Sequence, residues 1–299
     1  MPRRYVVLDV FTNRPLAGNP LAVVLDAEGL DDRDLQAIAR EFNLSETVFV
    51  RPAANPVHAA RVRIFTPSHE LPFAGHPIVG TAVLLGMRAA ESNQEKRELM
   101  LVLEAGIGPV RCGVTLEGRA GGRAVFDLPR PAAEAGTAAS VEAIAGALGL
   151  EPSEVGFENH RPTVFSAGLA FQFVPVRDLA VIDRARPTPN WRSAFGDMPA
   201  YVYCRQTQVA GRQFHARSFL PGLGIGEDPA SGSAVAAFAG VVRRFDEPHD
   251  GRHRFLVEQG MEMGRPSLLT LEIDIEGGVL SGTRIAGDAL VVAEGTLAI

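Results

Sequence analysis

The first apolar run, residues 5–10, is interrupted only by Asp9 and predicts a strand. A turn over 13–20 leads to a second strand, 21–25. Asp31 or Asp32 can cap the helix that follows, whose apolar positions Leu35, Ile38, Ala39 and Phe42 recur at helical spacing. A short connection over 43–46 enters a strand at 47–50. Residues 61–66 alternate as a half-buried strand does, with Val62 and Ile64 on one side and Arg61 and Arg63 on the other. The stretch 66–77 contains Pro67, Pro72, Gly75 and Pro77 and reads as a loop. Pro77 suits the first turn of a helix, where an N–H has no partner to lose. That helix, 77–87, is apolar nearly all round and is therefore predicted to be buried. Strands are predicted from 98 to about 128, and the Pro- and Ala-rich stretch 129–137 marks a domain boundary.

The pattern then repeats. Arg63-Ile64-Phe65-Thr66-Pro67 matches Arg217-Ser218-Phe219-Leu220-Pro221, and Glu104-Ala105-Gly106 matches Glu258-Gln259-Gly260, both at an offset of 154. Between these anchors each half has a Gly-containing loop and an apolar helix, the second over 233–242. Gly75 aligns best with Gly232, an offset of 157. A single duplication is expected, with halves 1–130 and 131–299 and the last strands free to return to the first half. A solenoid is excluded by the long period. Each half is expected to be a curved sheet around one helix, with helix starts near His76 and Ser233 facing each other across a cleft. Helix starts carry bare N–H groups and partial positive charge, which suits an anion.

Composition narrows the chemistry. With 299 residues, two domains are the natural prior. A net charge of −6 and no basic stripe argue against nucleic acid and anionic membrane as partners. No apolar run reaches the ~20 residues of a membrane span, and none reads as a signal peptide. With Cys112 and Cys204 as the only cysteines, a reducing, cytoplasmic setting is expected. Lys96 is the only lysine and sits in a polar run, 91–98, read as an exposed turn. It is a poor Schiff-base residue, which sets pyridoxal phosphate aside.

His69-Glu70 does not continue into a zinc motif: residue 73 is Phe, and Pro72 breaks the helix. Gly222, Gly224 and Gly226 imitate a phosphate loop, but Glu227 stands where the dinucleotide fingerprint needs glycine, so a flexible loop is the better reading. Ser231 and Ser233 lack the flanking glycines of a hydrolase elbow, and one of them is expected to cap a helix. Read from its own segment, Glu46 is a solvated strand-end carboxylate as readily as a base. Asp228 is a helix cap as readily as a site residue, and His76 a packed histidine as readily as a neutral acid–base partner.

Taken together, Leu8-Asp9-Val10-Phe11, Gly18-Asn19-Pro20, Asn43-Leu44-Ser45-Glu46-Thr47, Phe65-Thr66-Pro67 through His76-Pro77, Gly80-Thr81-Ala82, Glu227 through Ala234, Gln259-Gly260 and Met263 through Ser267 resemble the PhzF-like family of phenazine biosynthesis. The resemblance implies an α+β fold like that of diaminopimelate epimerase: two similar domains, each a barrel-like, mostly antiparallel sheet around a central apolar helix. It implies a homodimer, a site in the cleft, and no cofactor or metal. It places the catalytic glutamate at Glu46, a supporting histidine and aspartate at His76 and Asp228, and substrate contacts at Ser45, Gly75, Gly232 and Ser233. The type member isomerises trans-2,3-dihydro-3-hydroxyanthranilate. Related racemases carry a cysteine at each central helix start. Those positions here are Gly75-His76 and Gly232-Ser233, so two-thiol racemisation is not available. The expected function is a cofactor-independent isomerase that moves a proton on a small, cyclic amino or hydroxy acid by general acid–base catalysis. The alternatives are a sibling epimerase or isomerase with another substrate, and a non-catalytic small-acid binding protein.

Overall fold

A computed structural model describes residues 2–89, 96–117 and 121–299. The turn expected over 91–98 therefore falls largely outside the described residues. The chain forms two compact units, one of residues 1–127 and 286–299, the other of residues 128–285.

In the first unit, β1 (Arg3–Val10) pairs antiparallel with β2 (Asn19–Val24). β2 runs parallel to β3 (Glu46–Arg51), and β3 antiparallel to β4 (Ala60–Phe65). The short β5 (Glu70–Leu71) folds back on β4, and β4 runs parallel to β6 (Lys96–Ala105). β6, β7 (Gly108–Glu117) and β8 (Gly121–Asp127) form an antiparallel meander. The last strand of the chain, β17 (Val279–Leu297), pairs with both β8 and β1 and closes an eight-stranded barrel. Helix α1 (Asp32–Phe42) starts at the predicted cap, Asp31, and lays Leu35, Ile38 and Ala39 against Phe49 and Phe65 outside the barrel. Helix α2 (Gly75–Ala89) fills the inside and packs on β1, β2, β3, β6, β7 and β8. Gly80 is what lets it sit so close: a Cβ there would lie 2.6 Å from Leu21.

The second unit runs through the same ladder. β9 (Ala133–Glu134) and β10 (Thr163–Ser166) lead to β11 (Ala170–Pro175), antiparallel to β10. β11 is parallel to β12 (Ala200–Cys204), and β12 antiparallel to β13 (Phe214–Leu220). β14 (Ile225–Asp228) folds back on β13, and β13 is parallel to β15 (Gly251–Gln259). β15 and β16 (Ser267–Glu276) pair antiparallel, and β16 is followed by β17 through Gly277-Gly278. Helices α3 (Val141–Leu148), α4 (Leu179–Arg184) and α5 (Trp191–Phe195) cover the outer face. Helix α6 (Gly232–Phe245) is the central one, with Phe238 against the rings of Phe173, Tyr201, Tyr203 and Phe214. The α+β expectation, two similar sheets each around an apolar helix, holds.

The shared short matches have physical causes. Arg63 makes two hydrogen bonds to the Glu70 carboxylate (2.7 and 2.6 Å), and Arg217 makes two to Glu227 (2.8 and 2.8 Å). Each tie fastens the short strand that leads into a central helix. Glu104 accepts the backbone N–H of Ala54 and Asn55, while Glu258 accepts those of Gln208 and Val209. Gly106 and Gly260 admit the loop before the helix: a Cβ would lie 2.9 Å from Pro72 in one case and 2.6 Å from the Pro229 carbonyl in the other. These positions persist because each holds down the segment that carries a helix start.

Two sequence expectations need correction. The glycine run 222–226 is not a flexible phosphate-like loop. It is a one-turn 3₁₀ segment, Pro221–Leu223, followed by β14, with Glu227 committed to Arg217. Ser231 stands at the N-cap of α6 but makes no side-chain cap bond; its hydroxyl donates to Asp228 instead.

Candidate active site

In the first unit the chain turns out of α1 at Asn43, which adopts the left-handed conformation (φ 50°) and donates its N–H to Ala39. Glu46 is then the first residue of β3. Its register partner on β2 is Leu21, whose side chain meets α2, so Glu46 also points at α2. It arrives beside His76, the second residue of that helix, with the carboxylate 3.5 Å from imidazole Nδ1. The His76 side chain is 4% exposed and that of Glu46 13%. Asn19, at the start of β2, places its amide nitrogen 3.5 Å from the same Nδ1. An amide donor and a carboxylate acceptor thus both stand at Nδ1, and the tautomer of the ring selects between them. Nε2 is buried and has no hydrogen-bond partner among the described residues.

Burial pushes the His76 imidazole down to about 3, so it is neutral. The unfolded chain protonates near the ordinary value of 6.5. Stability from this residue is therefore complete above that value and is lost as pH falls toward 3. Parent minus His76→Asn, compared by urea unfolding, should show up to ~1.4 kcal/mol lost per pH unit below pH 6. A difference that stays flat with pH would mean that the imidazole titrates normally.

In the second unit Asp228 ends β14 and is buried. Its carboxylate accepts the Ser231 hydroxyl, and Gln259 ties the pair together. The Gln259 amide donates to the Asp228 carbonyl (2.7 Å) and to Ser231 Oγ (3.4 Å). The Gln259 carbonyl accepts from the Ser231 backbone N–H and the Tyr201 hydroxyl, both at 3.3 Å. Burial, with the Asp228 charge added, keeps the Tyr201 phenol well above its ordinary range, so it remains a donor. Next to Gln259, Glu258 and Glu262 grip the buried His215 at 2.8 and 2.7 Å, one on each ring nitrogen. Burial pushes this imidazole down; the hydrogen bonds and charges of Glu258 and then Glu262 override it and lift it to about 9.

Glu46, His76, Ser45 and Gly75 all belong to the first unit, and Asp228, Gly232 and Ser233 to the second. Gly75 and Gly232 are buried first residues of α2 and α6, and Ser45 and Ser233 are half-buried. Neither helix has an acidic side chain in its own first turn; the carboxylates of Glu46 and Asp228 stand beside the two helix starts from outside it. Burial holds the thiols of Cys112 (β7) and Cys204 (β12) up at about 12, so neither is a ready nucleophile. Among the described residues no cluster of three or more His, Cys, Asp or Glu could hold a metal, and no helix is long and apolar enough to cross a membrane. Sequence reading had attached no role to Asn19, Tyr201 or Gln259, and had taken Ser231 only as a cap.

The sequence profile of the family described as Phenazine biosynthesis-like protein matches residues 8–295. The chain belongs to that family. An uncharacterized isomerase of Mesorhizobium japonicum is 49% identical over 302 residues, covering 99% of this chain and 98% of the relative. A trans-2,3-dihydro-3-hydroxyanthranilate isomerase of Pseudomonas chlororaphis is 34% identical over 293 residues and 98% of each chain. The crystal structure of a PhzF-family phenazine biosynthesis protein of Bacillus anthracis matches with a TM-score of 0.87 at 26% identity, over 100% of both chains. The fold is the diaminopimelate-epimerase-like one, and the enzyme is an isomerase.

Proposed function

We propose that this isomerase moves a proton within a small cyclic amino or hydroxy acid, using Glu46 as its acid–base group, without a cofactor and as a homodimer. The observation that carries the reading is the pairing of a partly buried carboxylate, Glu46, with a histidine that burial keeps neutral. An ionised Glu46 removes a proton from an activated sp³ carbon. Once protonated, it stands beside a neutral rather than a cationic His76, and it then returns the proton to another carbon on the same face. One carboxylate on one face suits a shift along a conjugated system; inversion at a single centre needs groups on both faces. Such a group contributes typically ~10²–10⁴-fold in rate.

The substrate's carboxylate needs donors. Donors of this kind stand at the start of α2, with Gly75, and at the start of α6, with Gly232 and Ser233, and glycine admits a ligand close to the backbone. Ser45 adds a hydroxyl beside Glu46. Asp228 repels a carboxylate but suits an ammonium or hydroxyl on the same substrate. That combination favours acids of the trans-2,3-dihydro-3-hydroxyanthranilate type. The relative with that named substrate is 34% identical, a distance that favours a sibling substrate as the second reading.

The test is proton exchange in D₂O, followed by NMR, with trans-2,3-dihydro-3-hydroxyanthranilate and a panel of cyclic amino and hydroxy acids. Deuterium should enter at a ring carbon of at least one acid as it is isomerised. Absence of both isomerisation and exchange with every acid would end the reading.

A further inference from the structure

The two units are built on one ladder, so every polar side chain in one can be compared with its counterpart in the other. The register of β3 on β4 and of β12 on β13 sets Tyr201 against Val48. That of β5 and β14 sets Asp228 against Leu71. The offset of the central helices sets Ser231 against Ala74, and the pairing of β6 and β15 sets Gln259 against Ala105. Four polar residues that bond one another in the second unit thus correspond to four apolar residues in the first. The same barrel, helix and loop form without them. Burying such a network gains the fold little and is hazardous unless every member is satisfied. Its upkeep has to be explained by what it holds.

What it holds is Asp228. Gln259 fixes Ser231 from both sides, accepting its N–H and donating to its hydroxyl oxygen. That leaves the hydroxyl proton one direction in which to point, the Asp228 carboxylate. Gln259 also clamps the Asp228 main chain through its carbonyl, and Tyr201 holds Gln259 in place from inside the core. Gly260, at φ +75°, brings this strand end against Pro229, so the clamp sits directly behind the loop it steadies.

We propose that Ser231 and Gln259 are positioning residues that fix the Asp228 carboxylate in one orientation toward the substrate's amine or hydroxyl. The inference rests on the reading that Asp228 meets the substrate. Substrate selection, rather than proton transfer at Glu46, is then set by this clamp.

The test is steady-state kinetics on trans-2,3-dihydro-3-hydroxyanthranilate for Asp228→Asn, Ser231→Ala, Ser231→Thr, Gln259→Glu and the Asp228→Asn/Ser231→Ala pair. Ser231→Ala removes only one oxygen from a helix cap that makes no side-chain cap bond, so it should fold normally. It should lower kcat/KM about tenfold, chiefly through KM, because a charge-assisted hydrogen bond is lost. Ser231→Thr should restore most of that. Gln259→Glu, which loses the donor to the Asp228 carbonyl, should lose at least as much. In the Asp228→Asn background, Ser231→Ala should cost nothing further. A loss in Asp228→Asn with parental kinetics in Ser231→Ala and Gln259→Glu overturns the positioning role alone. Parental kinetics in Asp228→Asn overturns the reading of Asp228, and the positioning role with it.

Discussion

Glu46→Gln should turn over substrate at least ~10²-fold more slowly than the parent, with its melting temperature within about 2 °C. Glutamine keeps the size and the hydrogen-bonding reach of the side chain and removes the proton acceptor. The stability half of the expectation follows from position. Glu46 is the first residue of β3, is partly exposed, and stands beside a neutral rather than a charged histidine, so no buried ion pair is broken. Solvent deuterium should disappear from the product in step with turnover. Parental kcat would remove Glu46 from the chemistry; a large fall in melting temperature would recast it as a structural carboxylate.

His215→Leu should cost about 3–5 kcal/mol of stability near pH 6, because it strands the nearly buried Glu262 carboxylate and takes from Glu258 one of its two charged partners. The side chains of His215 and Glu258 are fully buried and that of Glu262 nearly so. Arg212 reaches only Glu258, at 2.8 Å, and cannot replace both bonds. The pH dependence has a definite sign. The folded-state value is raised to about 9 from 6.5. The contribution is therefore complete below pH 6.5 and is lost as pH climbs through 9. Urea unfolding of parent and variant between pH 6 and 10 should show the gap narrowing as pH rises. A gap that is small at pH 6, or that widens with pH, would mean the histidine is neutral in the folded protein.

What could be read from the chain and what could not divides along sequence distance. Helix α1 was legible because Leu35, Ile38 and Ala39 repeat within one helix, and α2 because its apolar run has no polar face to mislead. The duplication was legible because Arg63/Arg217, Glu104/Glu258 and Gly106/Gly260 each serve the same local fastening twice. Strand β14 was not, since three glycines in five residues read as a loop; its strand character comes from pairing with β13 and from the Arg217–Glu227 tie ten residues away. Within the site, Glu46, His76 and Asp228 stood out through the family resemblance rather than through any local pattern. Asn19 reaches His76 from 57 residues away, and Gln259 reaches Asp228 from 31. No period or spacing announces such contacts; they are consequences of strand register. The charged His215 clamp was missed for the same reason, its carboxylates lying 43 and 47 residues downstream.

The eighth strand of the first barrel is residues 286–297, separated along the chain from its neighbour β8 by the whole second unit. Until it pairs, β1 and β8 present open edges, with the backbone N–H and C=O groups of Tyr5–Val10 lacking the partners they find at Gly295–Ala289. Seven strands and their central helix must wait while more than half of the chain is synthesised. The first barrel is thus begun before the second unit and sealed only after it, and during that interval its open edges are a template for pairing with the wrong strand.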